Sequence, residues 1–249
     1  MIVIAPTYRR ASSAITHKIL PCVVYAAHGF EIEDYRQKGH KVIALPDNTM
    51  GNIARVRNWL IEYALEKKQD RLLLVDDDLI SVQEFYDSGP RPKKLIGKSL
   101  KQRIESCFDL SEQWGTALWG INCVSEKGGF KEYTPFSLKR YCSASFHGML
   151  LSRIGSIRYD EDLPLKEDYD LCLQLLNRDR KTLRVNSLSM TKNDHKNEGG
   201  CAMYRNTKKE AQQMKALVRK WGSQIVQDDS LSREKMDINP VIRVPIAGV

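Results

Sequence analysis

The 249-residue chain reads as an α/β protein, a mostly parallel sheet with helices on both faces. Three observations predict this. Leu72-Leu73-Leu74-Val75 is an unbroken apolar run, the pattern of a strand buried on both faces. Short strand-like runs alternate with helical patterns through the first eighty residues. The run at 72–75 then stops in Asp76-Asp77-Asp78, three carboxylates at the carboxyl end of a strand, where open α/β sheets bind ligands.

Residues 1–5 predict the first strand. This start is apolar but has no basic leader and breaks at Pro6, so it reads as a strand and not as a signal peptide. Ser12 and Ser13 are placed to cap a short helix reaching Leu20. Val23 to Ala26 predicts the second strand, Glu31 to Lys38 a helix stopped by Gly39, and Val42 to Leu45 the third strand. Pro46-Asp47-Asn48-Thr49 leads into a long helix, with Ile53, Val56, Leu60 and Ala64 at helical spacing. The acidic strand follows. Gly89-Pro90-Arg91-Pro92 is a loop and Lys98 to Gln113 a helix. Thr116 to Val124 and Cys142 to Leu151 predict two further strands, connected through Gly128-Gly129 and Tyr133 to Phe136. Asp168 to Arg178 and Thr207 to Trp221 predict helices. The stretch 191–201 is polar and glycine-bearing and reads as a mobile loop, and the tail from Ser230 has little pattern.

Composition narrows the class. Hydrophobic residues make up 42% and charged residues 28%, which fits a soluble domain with a real core. No stretch approaches the ~20 apolar residues that span a bilayer, so no membrane partner is expected. Six cysteines lie scattered without a CxxC pair, which predicts reduced thiols in a cytoplasm and gives zinc no support. The net charge is +8, and it is concentrated. Residues 91–103 hold six Lys or Arg and no acid, and residues 178–220 hold twelve against four acids. Such segments suit a polyanion, or else are ordinary solvated helix faces.

Successive strand side chains alternate, so Asp76 and Asp78 are expected on one side, with Asp77 pointing away. Two carboxylates there repel unless a cation joins them, and hard oxygen ligands suit Mg²⁺ or Mn²⁺. Such an ion neutralises a diphosphate leaving group. A solvated acidic turn is the plainer alternative.

The segment Asn48, Gly51, Ala54, Arg57, Asn58, followed by Asp76-Asp77-Asp78, resembles nucleotide-sugar glycosyltransferases of the GT-A fold. The large inverting family of that fold has N-x-G-x-x-x-A-R-N and a later D-x-D; here one extra residue separates Asn48 from Gly51. The resemblance implies a GT-A domain over 1–225, with 1–80 as the nucleotide-sugar half, 81–225 as the acceptor half, and a tail at 226–249. It implies that Asp76, Asp77 and Asp78 bind the metal–diphosphate of the donor, with Asp76 and Asp78 as ligands. Arg57 and Asn58 fall on the donor side. Arg57 suits a phosphate geometrically, or else forms a salt bridge to a sheet carboxylate.

Lys166-Glu167-Asp168 resembles the x-E-D motif of these enzymes. It implies Asp168 as the general base, with Glu167 positioning the acceptor or sharing that role. Acids at a helix start also serve as caps, and the two readings are compatible. His195 resembles the late histidine that many GT-A enzymes place on the metal, and reads equally as a loop residue. The opening loop Pro6, Thr7, Tyr8, Arg9 matches the family's P-x-Y/R start, which implies Tyr8 stacked on the uracil and Thr7 bonded to its edge. A solvated turn is the other reading of that loop.

A narrower resemblance spans almost the whole chain. The loop Pro6 to Arg10, G-x-x-x-x-R-N-W ending at Trp59, D-D-D, E-D-Y-D, and Gly199-Gly200-Cys201-Ala202-Met203-Tyr204-Arg205 look like the phage glycosyltransferases associated with TET-type oxygenases. The resemblance implies transfer of a sugar, from UDP-glucose or UDP-N-acetylglucosamine with Mn²⁺ or Mg²⁺, onto a 5-hydroxymethylpyrimidine in DNA. Hydroxymethylcytosine is favoured, and a phage-encoded chain would work in the host cytoplasm. Gly199 and Gly200 would close backbone amides over the diphosphate, or form a flexible turn, and Tyr204 and Arg205 would hold sugar or phosphates. The basic segments favour a DNA acceptor. Trp114, Trp119, Tyr133, Phe136 and Tyr141 are aromatic candidates for stacking on a base, most of them expected in the core. The rivals are a GT-A enzyme acting on a glycan, lipid or protein, a metal-dependent nucleotidyltransferase, and a DNA-binding module without turnover. The oligomeric state stays open.

Overall fold

The computed structural model describes residues 1–86, 92–123, 130, 133–193, 199–228 and 239–246. Strands β1 (Ile2–Pro6), β2 (Val24–His28), β3 (Val42–Leu45) and β4 (Arg71–Val75) lie in the order β3-β2-β1-β4, all parallel. The sheet continues through β9 (Phe146–Leu150), β7 (Leu118–Asn122), β10 (Leu183–Lys192), β5 (Leu79–Glu84) and β6 (Lys93–Leu95), with β8 (Phe136–Ser137) paired to β10. Seven of the ten strands run one way; β5, β8 and β9 run against them.

The apolar run predicted at 72–75 is buried on both faces for the expected reason. Leu73 and Val75, with Val3 and Ala5 of β1, pack against Tyr35 of α1 (Ile32–Gln37) and Phe108 of α3 (Lys98–Gln113). Leu72 and Leu74, with Ile4, pack against Leu60 of α2 (Ile53–Glu66) and Leu175 of α5 (Glu167–Asp179). Each fully buried leucine contributes about 1.5–3 kcal/mol. A short helix, α4 (Leu151–Ile154), follows β9. A third cluster joins α5 to α6 (Thr207–Trp221) and β11 (Val226–Asp228) through Leu173, Met214, Leu217 and Val226.

Several sequence expectations are corrected. The helix from Ser12 shrinks to one 3-10 turn, Thr16–Lys18, because the amides of Ile15 and Thr16 bind the Asp77 carbonyl instead of continuing a helix. The strands expected at 116–124 and 142–151 are shorter. β5, β6 and β10 were not foreseen. Lys192, expected in a loop, ends β10, and Gly200–Met203 is a 3-10 turn. The tail carries β12 (Pro240–Ile242), which pairs antiparallel with β11. The loop at 89–91 and Gly128-Gly129 lie outside the described residues. Cys22, Cys107, Cys123, Cys142 and Cys172 are free thiols, as expected. Among the described residues no helix is long and apolar enough to cross a membrane.

Candidate functional site

The carboxyl ends of β1, β2, β3, β4 and β10 converge on one cavity of about 530 Å³. They bring Pro6, His28, Leu45, the acidic turn and Lys192 to its walls. The opening of α2, the start of α5 and the segment Gly200 to Arg205 close the remaining sides.

Thr16 builds the acidic turn. Its hydroxyl donates to the Asp76 carbonyl at 2.6 Å and accepts the Leu79 amide at 3.0 Å. The strand has already ended at Val75, so side-chain alternation does not carry through the turn. All three aspartates therefore line the cavity, and Asp77 does not point away. Thr7 donates to Asp77 at 2.5 Å, and Arg10 binds Asp77 at 3.0 Å and lies 3.5 Å from Asp78. On the other side Lys192 reaches Asp76 at 3.3 Å and the Ser145 hydroxyl at 3.1 Å.

The charges are unequal in cost. Burial works against ionisation of Asp76, but Lys192 and Arg57 outweigh it and hold its carboxyl below the ordinary value. Burial and the neighbouring Asp76 and Asp77 push Asp78 up to about 7. One Asp78 oxygen, Oδ1, is buried without a hydrogen-bond partner. A divalent cation fits that oxygen and the surplus negative charge. Among the described residues no three His, Cys, Asp or Glu side chains gather as a ligand set.

Asp168 stands on the cavity wall in the first turn of α5. Its Oδ2 accepts the Tyr141 hydroxyl and the Ala144 amide, the latter at 3.2 Å, while Oδ1 accepts the Tyr169 amide at 2.8 Å. Tyr141 stacks on Tyr169 with ring centres 4.0 Å apart. Three donors thus fix the rotamer of a half-buried carboxylate that lines the cavity. Glu167 is different. It is buried in a salt bridge to Arg57, whose pKa is raised because Glu167, together with Tyr159, Asp76 and Asp168, outweighs the burial that opposes its charge. Arg57 also lies 5.7 Å from the Tyr159 ring centre. Its ion-pair partner is a helix carboxylate, not the sheet carboxylate considered from sequence, and Arg57 itself lines the cavity.

Other predicted site residues scatter. Asn58 is not on the cavity; it clamps the backbone of Tyr159 with bonds of 2.9 and 2.8 Å. Arg9 is exposed, lies over the Tyr8 and Phe30 rings, and takes no part in the cavity wall. Gly199 sits at φ +98°, with the Tyr8 carbonyl where a Cβ would come within 2.5 Å. The Gly200 amide donates to that carbonyl at 3.0 Å, which closes this segment onto the opening loop. Tyr204 and Arg205 line the cavity. Trp119 is core, whereas Tyr133 is exposed. His195 lies outside the described residues.

Sequence reasoning missed Arg10, Lys192, Ser145 and His28. Arg10 had a signal, since it ends the opening motif. Lys192 and Ser145 had none, because only the register of β10 and β9 brings them to Asp76. His28 is buried and lines the cavity at the end of β2, its Nδ1 without a partner; burial lowers its pKa, so it is neutral.

In the solved structures this fold recurs. Glucosyl-3-phosphoglycerate synthase from Mycobacterium tuberculosis, crystallised with Mn²⁺, UDP-glucose and phosphoglyceric acid, is 10% identical with a TM-score of 0.53, over 98% of this chain and 87% of that one. Residues 1–349 of S. aureus TarS are 18% identical with a TM-score of 0.48, over 77% of this chain. The chain spans 60% of the length of that TarS fragment. At these identities the likeness is one of fold. No curated protein sequence matches the chain. The TET-Associated Glycosyltransferase family model matches residues 1–200, a span that holds the acidic turn, Asp168 and both glycines of the closing segment. The chain therefore has the GT-A fold and belongs to the TET-associated glycosyltransferase family.

Proposed function

We propose that the protein transfers a sugar from a UDP-sugar to the hydroxymethyl oxygen of a 5-hydroxymethylpyrimidine in DNA, with hydroxymethylcytosine as the favoured base. The observation that carries this reading is that one cavity holds the acidic turn and, on the facing helix, a fixed carboxylate at Asp168. The family's association with TET oxygenases and the chain's net charge of +8 support the DNA acceptor.

In this reading the donor base lies between Tyr8 and Leu45, where the unpartnered His28 Nδ1 offers a hydrogen bond to its edge. Arg10, Lys192 and Arg205 face the diphosphate. A divalent cation held by Asp78 and Asp76 would neutralise the departing diphosphate. Asp168 takes the proton of the hydroxymethyl group as its oxygen bonds to the anomeric carbon. The bond from that carbon to the diphosphate oxygen breaks, and UDP leaves with the electron pair. A single displacement of this kind inverts the anomeric configuration.

The test is a radiolabelled UDP-sugar transfer assay with Mn²⁺, comparing DNA that carries 5-hydroxymethylcytosine or 5-hydroxymethyluracil with unmodified DNA. Label confined to hydroxymethylated DNA supports the reading. Label on another acceptor, with none on DNA, rejects the acceptor and keeps the glycosyltransferase. Full activity after exhaustive chelation, or in Asp78→Asn, rejects the metal.

A further inference from the structure

The twelve cations of 178–220 do not form one patch. Arg178 is held by Asp179, Lys192 by Asp76, Arg205 by Glu210, and Lys220 by Asp160 and Asp170. The other basic segment is tempered as well: Lys101 pairs with Glu105 at 3.9 Å and Arg103 with Glu84 at 2.7 Å. Four of the others, Lys208, Lys209, Lys215 and Arg219, lie together on α6. Glu210, Met214 and Leu217 turn inward and are buried, while Lys208, Gln212, Lys215 and Arg219 are exposed. Their spacing of four, three and four residues stacks them in one stripe. Lys209 flanks it, its ammonium 5.5 Å from the Tyr204 ring centre. Among the described residues no carboxylate pairs with Lys208, Lys209, Lys215 or Arg219.

An ordinary solvated helix mixes its signs, as α3 does with Lys98, Lys101, Glu105, Asp109 and Glu112. The only acid of α6 is Glu210, and it faces inward. The stripe also has a fixed address. α6 starts directly after Tyr204 and Arg205 of the cavity wall, and Glu210 binds Lys166, the residue before Glu167-Asp168, at 2.5 Å. From Lys208 to Arg219 the helix rises about 16 Å. Measured along the duplex axis, that length covers roughly five base-pair steps at ~3.4 Å each, enough for the stripe to meet several phosphates.

We propose that this face of α6 carries the phosphate backbone of the DNA acceptor and presents a base to the wall that holds Asp168. The proposal rests on the DNA-acceptor reading and names the surface it uses. Contacts of this kind position the strand and read no sequence.

The test is the triple variant Lys208→Gln/Lys215→Gln/Arg219→Gln, none of whose residues lines the cavity. Anisotropy of labelled hydroxymethylated DNA between 50 and 200 mM salt gives affinity and salt slope. Transfer to DNA is compared with transfer to 5-hydroxymethyldeoxycytidine monophosphate. The variant is expected to lose at least about tenfold in DNA affinity, with its salt slope reduced by about 2.7 for three lost phosphate contacts. KM for the UDP-sugar, turnover on the mononucleotide and the thermal midpoint stay unchanged. Parent-like DNA affinity and slope in the variant would overturn the surface while leaving the DNA acceptor standing. A parent protein that labels some other acceptor and neither binds nor labels DNA would overturn the acceptor reading, and this surface with it. Equal loss on DNA and mononucleotide would also overturn it, since the stripe would then act on the cavity.

Discussion

Arg57→Met separates two roles for one arginine. The sequence pattern puts Arg57 on the donor phosphates; the structure buries it against Glu167, beneath the Tyr159 ring. Both side chains are under a tenth exposed, so removing the cation strands a carboxylate in a low-dielectric wall beside Asp168. Breaking a buried pair from one side costs about 3–5 kcal/mol. A domain of this size has about 5–15 kcal/mol in all, and loses roughly 2–4 °C of melting midpoint per kcal/mol. The expected fall is therefore roughly 6–20 °C. The double variant Arg57→Met/Glu167→Gln should recover much of it, because no charge is left behind. Urea titration gives the free energies and calorimetry the midpoints, with donor affinity measured on the folded fraction. If Arg57→Met loses less than about 1 kcal/mol and its donor affinity collapses, the buried-pair argument fails and the phosphate role stands.

Asp168→Asn keeps the shape of the wall and removes the carboxylate proposed as the base, so turnover should fall about a hundredfold or more while the UDP-sugar dissociation constant stays put, read by single-turnover transfer and calorimetric titration. Asp78 makes stability pH-dependent. Its folded carboxyl is raised to about 7, so the folded state holds that proton more tightly than the unfolded chain does, and this contribution declines as pH rises from about 4 to 7. Asp78→Asn should flatten the slope in that window, checked by melting midpoints at pH 5 and 7.5. Gly199→Ala meets both a φ of +98° and a Cβ 2.5 Å from the Tyr8 carbonyl. Strain of about 1–3 kcal/mol should open the closing segment and raise the donor KM roughly 5- to 150-fold, with little change in the midpoint.

Two helices with one apolar stripe were legible to the residue, while α1 and α5 differ from their expected bounds by one residue at each end. α3 and α6 begin and end where their spacing predicts, and the acidic turn and the Glu167-Asp168 helix start lie where their motifs put them. β10 was not legible, although it is the longest strand. It lies inside the sheet yet carries Asn186, Ser187 and Ser189 as buried polar residues, so no apolar run announces it. Asn58 shows the opposite failure. The motif was visible, but its side chain has turned to bind the chain at Tyr159 instead of the cavity. Lys192 and Ser145 became site residues through register alone, and a register that joins positions 47 apart leaves no trace in local sequence.

Glu210 makes the late part of the chain indispensable to the early part. It is wholly buried, takes Lys166 on one oxygen and faces Arg205 with the other. A polypeptide truncated after residue 200 would keep the acidic turn, Asp168 and both glycines. It would also carry a buried, orphaned lysine one residue ahead of Glu167. Motif content and foldable length therefore differ in this protein, and any minimal enzyme trimmed from it has to run at least through α6.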